Sequence, residues 1–575
     1  MKKLLLFFSL LFVTLCYGQK HDGWAQKEIY KLDRVHPQTF KMVKPQGSIY
    51  ELRVRNQYEF ESVNKEITKA IDSGWKNICV KIGRGTYQFK ENHIQLKDIK
   101  KEVTITLMGK DAVLTSNVDV KNADNEPWTD MMLMDEIIQV VDNDKKLCMI
   151  PYQNQWSEEM RRSMTRVQVT QWFRAPVYDV EKMDSNGIYF VSKDLKWENG
   201  YKHKSFNVNL DYLYLEKKPR FRLYDKRKSV TGIASCFLSL ENAVGVMLNI
   251  SGFKFKGNKS GASLISMNNV ASRMLYIHDC TFERIHGNVA SFSNVNNVIF
   301  DNNIVRNTYG NEVKFIKNCH NVRVTNNKFD TCGLSIGQTF CITCWECSYY
   351  VANNTFSDFG YAAIGVGVWH GSSKKYLSKG IIEHNEIYFS PTYLAENWKY
   401  MLMDSGAIYT WTQNDYVIIR YNYIHDYAGA GDNRGVFCDD GANNLKIYGN
   451  IVLNIPNSYS IDLRYVKDQR DGFTNNANNF MAYNIVDNGI RFMGYYGEER
   501  HCLKGENYVV QKKRKQQIIA SRYECLEVNK EDIIIDEKLV KSGLLRKTIK
   551  THLDSVQNMI IRNTLSNLGK TKRGT

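Results

Sequence analysis

The sequence predicts an all-β chain: a right-handed parallel β-helix, a solenoid of stacked coils, carrying an inserted antiparallel β domain. Three observations predict it. A short unit, apolar-x-apolar-x-x-Asn-x-apolar, recurs from the middle of the chain onward, and the commonest steps between copies lie between 23 and 28 residues. Within each unit apolar and polar residues alternate with period two, the signature of strands. One coil of a parallel β-helix needs that length: two or three short strands with turns between them. A leucine-rich horseshoe would show regular leucines and a helix in every repeat, and neither occurs.

The elements follow in chain order. Residues 1–18 read as a secretory signal peptide: Met1-Lys2-Lys3, the apolar run LLLFFSLLFVTL, then a small-residue exit at Gly18. That run is too short to span a bilayer, which takes about 20 residues, so an exported chain, secreted or periplasmic, without a transmembrane segment is expected. A lipid anchor at Cys16 is disfavoured because Leu15 stands where a small residue is wanted. Residues 19–124 hold an N-terminal cap and the first coils, with a short helix near Ser62 to Ser73. Residues 125–235 lack the Asn anchor and carry alternating segments such as RVQVTQWF and GIYFVSKDL, the pattern of an inserted β domain.

Residues 236–500 read as the β-helix repeats, the stretch where a catalytic face is expected. The asparagine anchors are Asn303, Asn327, Asn354, Asn385, Asn422, Asn450 and Asn484, with Phe253 and Cys280 at the same place in two earlier copies. An Asn at a corner bonds the backbone of its own turn and stacks on the Asn of the next coil, so these seven read as a structural ladder. Steps of 31 and 37 residues between Asn354 and Asn422 mark insertions, where a repeat scaffold builds its binding face. Residues 501–575 lose the repeat and read as a basic cap or tail.

The formal net charge is +16, reduced by two when Lys2 and Lys3 leave with the signal. A basic exported protein suggests an acidic glycan or the cell envelope as partner, beside the plainer reading of dispersed solvated lysines. No phosphate loop, nucleophile elbow or HExxH motif is present, and nucleic acid is not an expected partner. Cys341, Cys344 and Cys347 have metal-like spacing; a metal site, a disulfide and buried free thiols all stay open.

A further strand series, one per coil, presents a ribbon of outward residues: VKFIK at 313, LSIGQ at 334, AAIGVG at 362, GAIYTW at 406, GVFCDD at 435 and YSIDLR at 459. Two segments pair an acid with glycine, Asp404-Ser405-Gly406 and Asp439-Asp440-Gly441. Coils lie about 4.8 Å apart, so side chains of successive rungs converge on one sugar. Two registers compete. If the acid-glycine pairs stack, Asp404 and Asp439 are neighbours; if Ile408 stacks on Phe437, Asp440 faces outward with Tyr409, Trp411 and Cys438, and Asp439 points inward. The catalytic candidates are therefore Asp404, Asp440 and Asp439, against the plain reading that these acids only close turns. Candidate substrate-binding residues are Tyr409, Trp411, Trp369 and His370 as a stacking wall, His425 past the Asn422 corner, and Asp462 and Arg464 on the next rung.

Residues 404–454 resemble the core signature of β-helix glycoside hydrolases of polysaccharide-degrading bacteria, the families typified by β-xylosidases with an inserted β domain and by pectin α-L-fucosidases. The resemblance implies a glycosidase with two acidic catalytic residues at Asp404 and at Asp439 or Asp440; no cofactor is expected for that reading. Two other classes compete. A polysaccharide lyase would need an acidic glycan, a Lys or Arg base such as Lys314 or Arg464, and often Ca²⁺. A non-catalytic glycan binder would tolerate acid-to-amide changes.

Overall fold

The computed structural model describes residues 27–37 and 47–116, separate strands between 132 and 225, and 236–492 apart from several gaps, chiefly 334–338, 369–376, 398–403, 429–432, 440 and 465–477. Short strands at Leu503–Lys504, Asn507–Val510 and Cys525–Val528 follow. The signal segment lies outside the described residues. No helix among those described is long and apolar enough to cross a membrane.

The main body is a parallel β-solenoid of about 11 turns. Three strand series, each pairing only with its own kind on the next coil, make its faces. The first includes Val322–Thr325 on Tyr349–Ala352 and Gly380–Glu383 on Val417–Arg420. The second includes Thr355–Ser357 on Glu386–Tyr388 and Tyr423–His425 on Ile451–Leu453. The third runs Val313–Phe315, Ile342–Cys344, Ile364–Gly367, Ile408–Trp411, Val436–Asp439 and Ile461–Leu463. Inside, one apolar column fills the coils. Phe255 stacks on Phe282 at 5.1 Å and Phe329 on Phe356 at 4.9 Å, close to the coil spacing itself.

The asparagine ladder forms, and each member is buried. Asn303 Nδ2 donates to Asn327 Oδ1 at 3.1 Å, and the chain of such bonds passes through Asn354, Asn385, Asn422 and Asn450 to Asn484. Asn507 adds an eighth member at 2.9 Å, so the stack continues past residue 500. The residue before each of the first seven rungs has positive φ: Asn302, Asn326, Asn353, His384, Tyr421, Gly449 and Tyr483. Asn and Gly tolerate that left-handed conformation; His384, Tyr421 and Tyr483 adopt it because the corner leaves no alternative.

The helix Val63–Asp72 buries Val63, Ile67 and Ile71 against the first coils, with Gln57–Glu61 before it, capped by Asn56. Seven strands between Met132 and Asp225 form an antiparallel sheet outside the solenoid's parallel order. Cys341, Cys344 and Cys347 belong to the strand Phe340–Trp345 and its turn, with their thiols in the core. Burial pushes the Cys344 and Cys347 thiols up, so they serve as small apolar side chains. That strand, not the LSIGQ segment, is the third-series member of its coil; residues 334–338 lie outside the described residues.

Candidate active site

The third series sets the site, and its register differs from both expected ones. Ser405 pairs with Asn433, Gly406 with Arg434, Ile408 with Val436, Tyr409 with Phe437 and Trp411 with Asp439. SGAIYTW therefore lies on NRGVFCD without a gap. Ile408, Val436 and Cys438 face the core, whereas Tyr409, Trp411 and Phe437 cluster outside it. The expectation that Phe437 points inward and Cys438 outward is thus corrected by one residue. Alternation then puts Asp439 on the outward side with Tyr409, whose hydroxyl donates to Asp439 Oδ2 at 2.5 Å. Asp440 lies outside the described residues, as do Trp369 and His370.

Asp404 sits one residue before its strand at φ 56°, a turn conformation that Asp accepts more readily than most residues. Its backbone carbonyl accepts the Tyr361 hydroxyl at 2.7 Å. Its Oδ1 takes two guanidinium hydrogen bonds, from Arg434 Nη1 at 3.2 Å and Arg464 Nη1 at 3.1 Å. Gly406 lies opposite Arg434 on the neighbouring rung, and a Cβ there would lie 2.6 Å from Phe437 Cβ, so Phe437 packs directly against the bare glycine backbone. The Arg434 guanidinium stacks over the Phe437 ring at 3.9 Å and gives its Nε hydrogen to Asp462 at 2.5 Å. Asp462 also receives Nε and Nη2 of Arg491 at 2.8 and 2.5 Å.

Asp439 is reached by the same Arg464: Nη1 is 4.0 Å from Asp439 Oδ1. One nitrogen between the two carboxylates limits the gap between those oxygens to about 7 Å, the combined length of the two contacts. Paired carboxyls of glycoside hydrolases stand about 5–5.5 Å apart when they retain configuration and about 6.5–9.5 Å when they invert it. Around Asp439 the rings of Tyr409, Trp411, Tyr361 and Phe340 close a cluster in which Tyr409 is 3 % and Trp411 7 % exposed. These aromatics therefore brace the carboxyl more than they offer an open stacking wall. Burial, then the charge of Asp439, holds the Tyr409 phenol well above its usual range; burial and Asp404 do the same for Tyr361. Both hydroxyls keep their protons and act as fixed donors.

His425 is elsewhere. It ends a strand of the second series, between the rings of Tyr388 and Tyr423, with Nδ1 2.7 Å from Asp426 and Nε2 3.6 Å from Glu386. Asp462 and Arg464 do stand beside the carboxylates, Asp462 fully buried as the anchor of two arginines. Arg434, Tyr361 and Arg491 were missed by sequence reasoning; the gapless match of SGAIYTW to NRGVFCD was the signal that could have found Arg434. Among the described residues no group of three or more His, Cys, Asp or Glu is arranged to hold a metal ion.

No protein-family model matches the chain, and no curated protein matches it. Solved structures similar to it include a glycoside hydrolase at 9 % identity, covering 77 % of this chain and 96 % of that one, with a TM-score of 0.42. A hyperthermoactive exopolygalacturonase from Thermotoga maritima is 11 % identical over 76 % of this chain and 96 % of its own, TM-score 0.30. PfbA, a surface adhesin of Streptococcus pneumoniae, is 11 % identical over 78 % and 86 %, TM-score 0.35. Values this low carry no weight for the chemistry.

Proposed function

We propose that the protein is an exported glycoside hydrolase acting on a polysaccharide or its oligosaccharides, with Asp404 and Asp439 as its paired carboxyl groups. The observation that carries this reading is Arg464 Nη1 standing between both carboxylates on the outward face of one β-ribbon. Turn-closing acids have no need of a shared cation or of a braced aromatic enclosure. In the proposed division of labour, the guanidiniums of Arg434 and Arg464 hold a negative charge on Asp404, which serves as base or nucleophile. Asp439, pressed among aromatic rings and oriented by the Tyr409 hydroxyl, supplies the second carboxyl group of the pair. Arg434, tied to Asp462, fixes the position of Asp404 across the rung.

The test is incubation of the purified protein with a panel of plant and algal polysaccharides. Release of reducing ends without ultraviolet-absorbing unsaturated sugar is the expected result. Unsaturated products would mean a lyase, and retention of glycan without any turnover would mean a binding protein; either outcome ends this reading.

A further inference from the structure

The geometry points to a second sugar-binding position on the same ribbon, built by Lys314 and Trp345 and suited to an anionic pyranose, carboxylated or sulfated. This inference rests on the hydrolase reading only for the ribbon on which the carboxylates stand, and it names the substrate class that the reading leaves open.

Lys314 and Trp345 stand on the outward rows that lead to the carboxylates. One row passes from Lys314 through Thr343 and Gly365 to Tyr409; the next passes from Trp345 through Gly367 and Trp411 to Asp439. Each is three rungs long, about 14 Å at the spacing of stacked strands. Thr343, Gly365 and Gly367 between the two ends are buried, so Lys314 and Trp345 form a position of their own, about three rungs from the carboxylates. Lys314 Nζ lies 5.6 Å from the centre of the Trp345 ring, and no acid pairs with it among the described residues. Both side chains are only partly covered.

An ammonium without a carboxylate on an otherwise well-paired ribbon is unusual beside its neighbours. Arg434, Arg464 and Arg491 each have an acid within 3.2 Å. Burial, then repulsion from Lys317, lowers the Lys314 pKa, which means that its charge is short of compensation. Thr343, between Lys314 and Gly365, is 1 % exposed, and its Oγ1 has no hydrogen-bond partner among the described residues. Lysine and indole together match a sugar that carries an anionic group beside an apolar ring face.

The test is calorimetric binding of three tetrasaccharides, one of uronic acids, one sulfated and one neutral, to the Asp439→Asn protein, with and without Lys314→Met or Lys314→Arg. The expected result is preference for one or both anionic ligands, a loss of about tenfold with Lys314→Met, recovery with Lys314→Arg, and an unchanged neutral ligand. Anionic binding should also weaken as salt rises. Which anionic arm binds identifies carboxylate or sulfate. Equal binding of anionic and neutral ligands, or no effect of Lys314→Met on a folded protein, overturns the inference while leaving Asp439-dependent hydrolysis intact. Lys314-dependent binding by a wild-type protein that releases no product overturns the hydrolase reading instead. Should Lys314→Met fail to fold, absence of both salt dependence and anionic preference in the Asp439→Asn protein overturns the inference by itself.

Discussion

Arg434 carries most of the electrostatic organisation of the site. It is 1 % exposed, contacts Asp404 and the fully buried Asp462, and lies over the Phe437 ring. Removing one partner from a buried ion network strands the others, at a cost of about 3–5 kcal/mol. Arg434→Met should therefore lower the denaturation midpoint strongly. Arg464→Met, at a side chain 24 % exposed, should leave the midpoint nearly unchanged while lowering kcat. Comparing denaturant melts with kcat for the two variants separates these roles, and equal effects on stability would contradict them. His425 gives a pH signature away from the site. Burial opposes its charge, but Asp426 and Glu386 prevail and raise its pKa. Its stabilising contribution is complete below the unfolded histidine value, about 6.5, and fades as pH rises through the raised one. His425→Gln should accordingly cost more melting temperature at pH 6 than at pH 9; an equal loss at both would refute the assignment. That Asp404 and the Asp439-Asp440 pair lie on one ribbon was legible in the sequence, because an acid close to a glycine at a strand end is a recognisable pattern. The choice between Asp439 and Asp440 was not, since it depends on a one-residue register that apolar residues on both faces leave undetermined.

At the scale of elements, the ladder is the clearest case of sequence writing structure. Asn385 donates its backbone N–H and a side-chain hydrogen to Asn422 Oδ1, gives a second to Val351 O, and accepts twice from Asn354. Asn385→Ala leaves several buried groups unpaired, each worth about 1–3 kcal/mol. Asn242→Ala, in a second asparagine row on the exposed surface, should cost far less. Thermal melts of the two variants check this, and similar losses would mean that the ladder is ornamental. The second row, Asn242, Asn269, Asn294 and Asn318, all at positive φ, went unread because its spacing is hidden among other asparagines. The strand Phe340–Trp345 was also concealed, because three cysteines at metal-like spacing look like ligands until the core is seen to swallow them.

At the scale of the whole molecule, the start of the described chain is tied to late coils. Helical residues 27–33 lie on the outer side of the first face, where Leu32 packs with Ile418, Tyr448 and Phe480. Asp33 accepts the Tyr421 and Tyr448 hydroxyls at 2.9 and 3.0 Å, and Arg420 donates to Leu32 O at 2.8 Å. No repeat announces so distant a contact, so composition gave no hint of it. Leu32→Ala should cost about 2–5 kcal/mol if this clasp is part of the folded core, read from the thermal melt; an unchanged melt would show it to be dispensable. Ladder, aromatic column and clasp together hold the scaffold that carries the ribbon. The most direct measurement is reducing-sugar release by Asp404→Asn and Asp439→Asn, each beside wild type, with Asp415→Asn, an exposed acid on another face, as control. The account predicts a fall of about 10²–10⁴ for each of the first two with fold and glycan binding retained, and none for the control. Wild-type turnover in folded Asp404→Asn and Asp439→Asn proteins would contradict it.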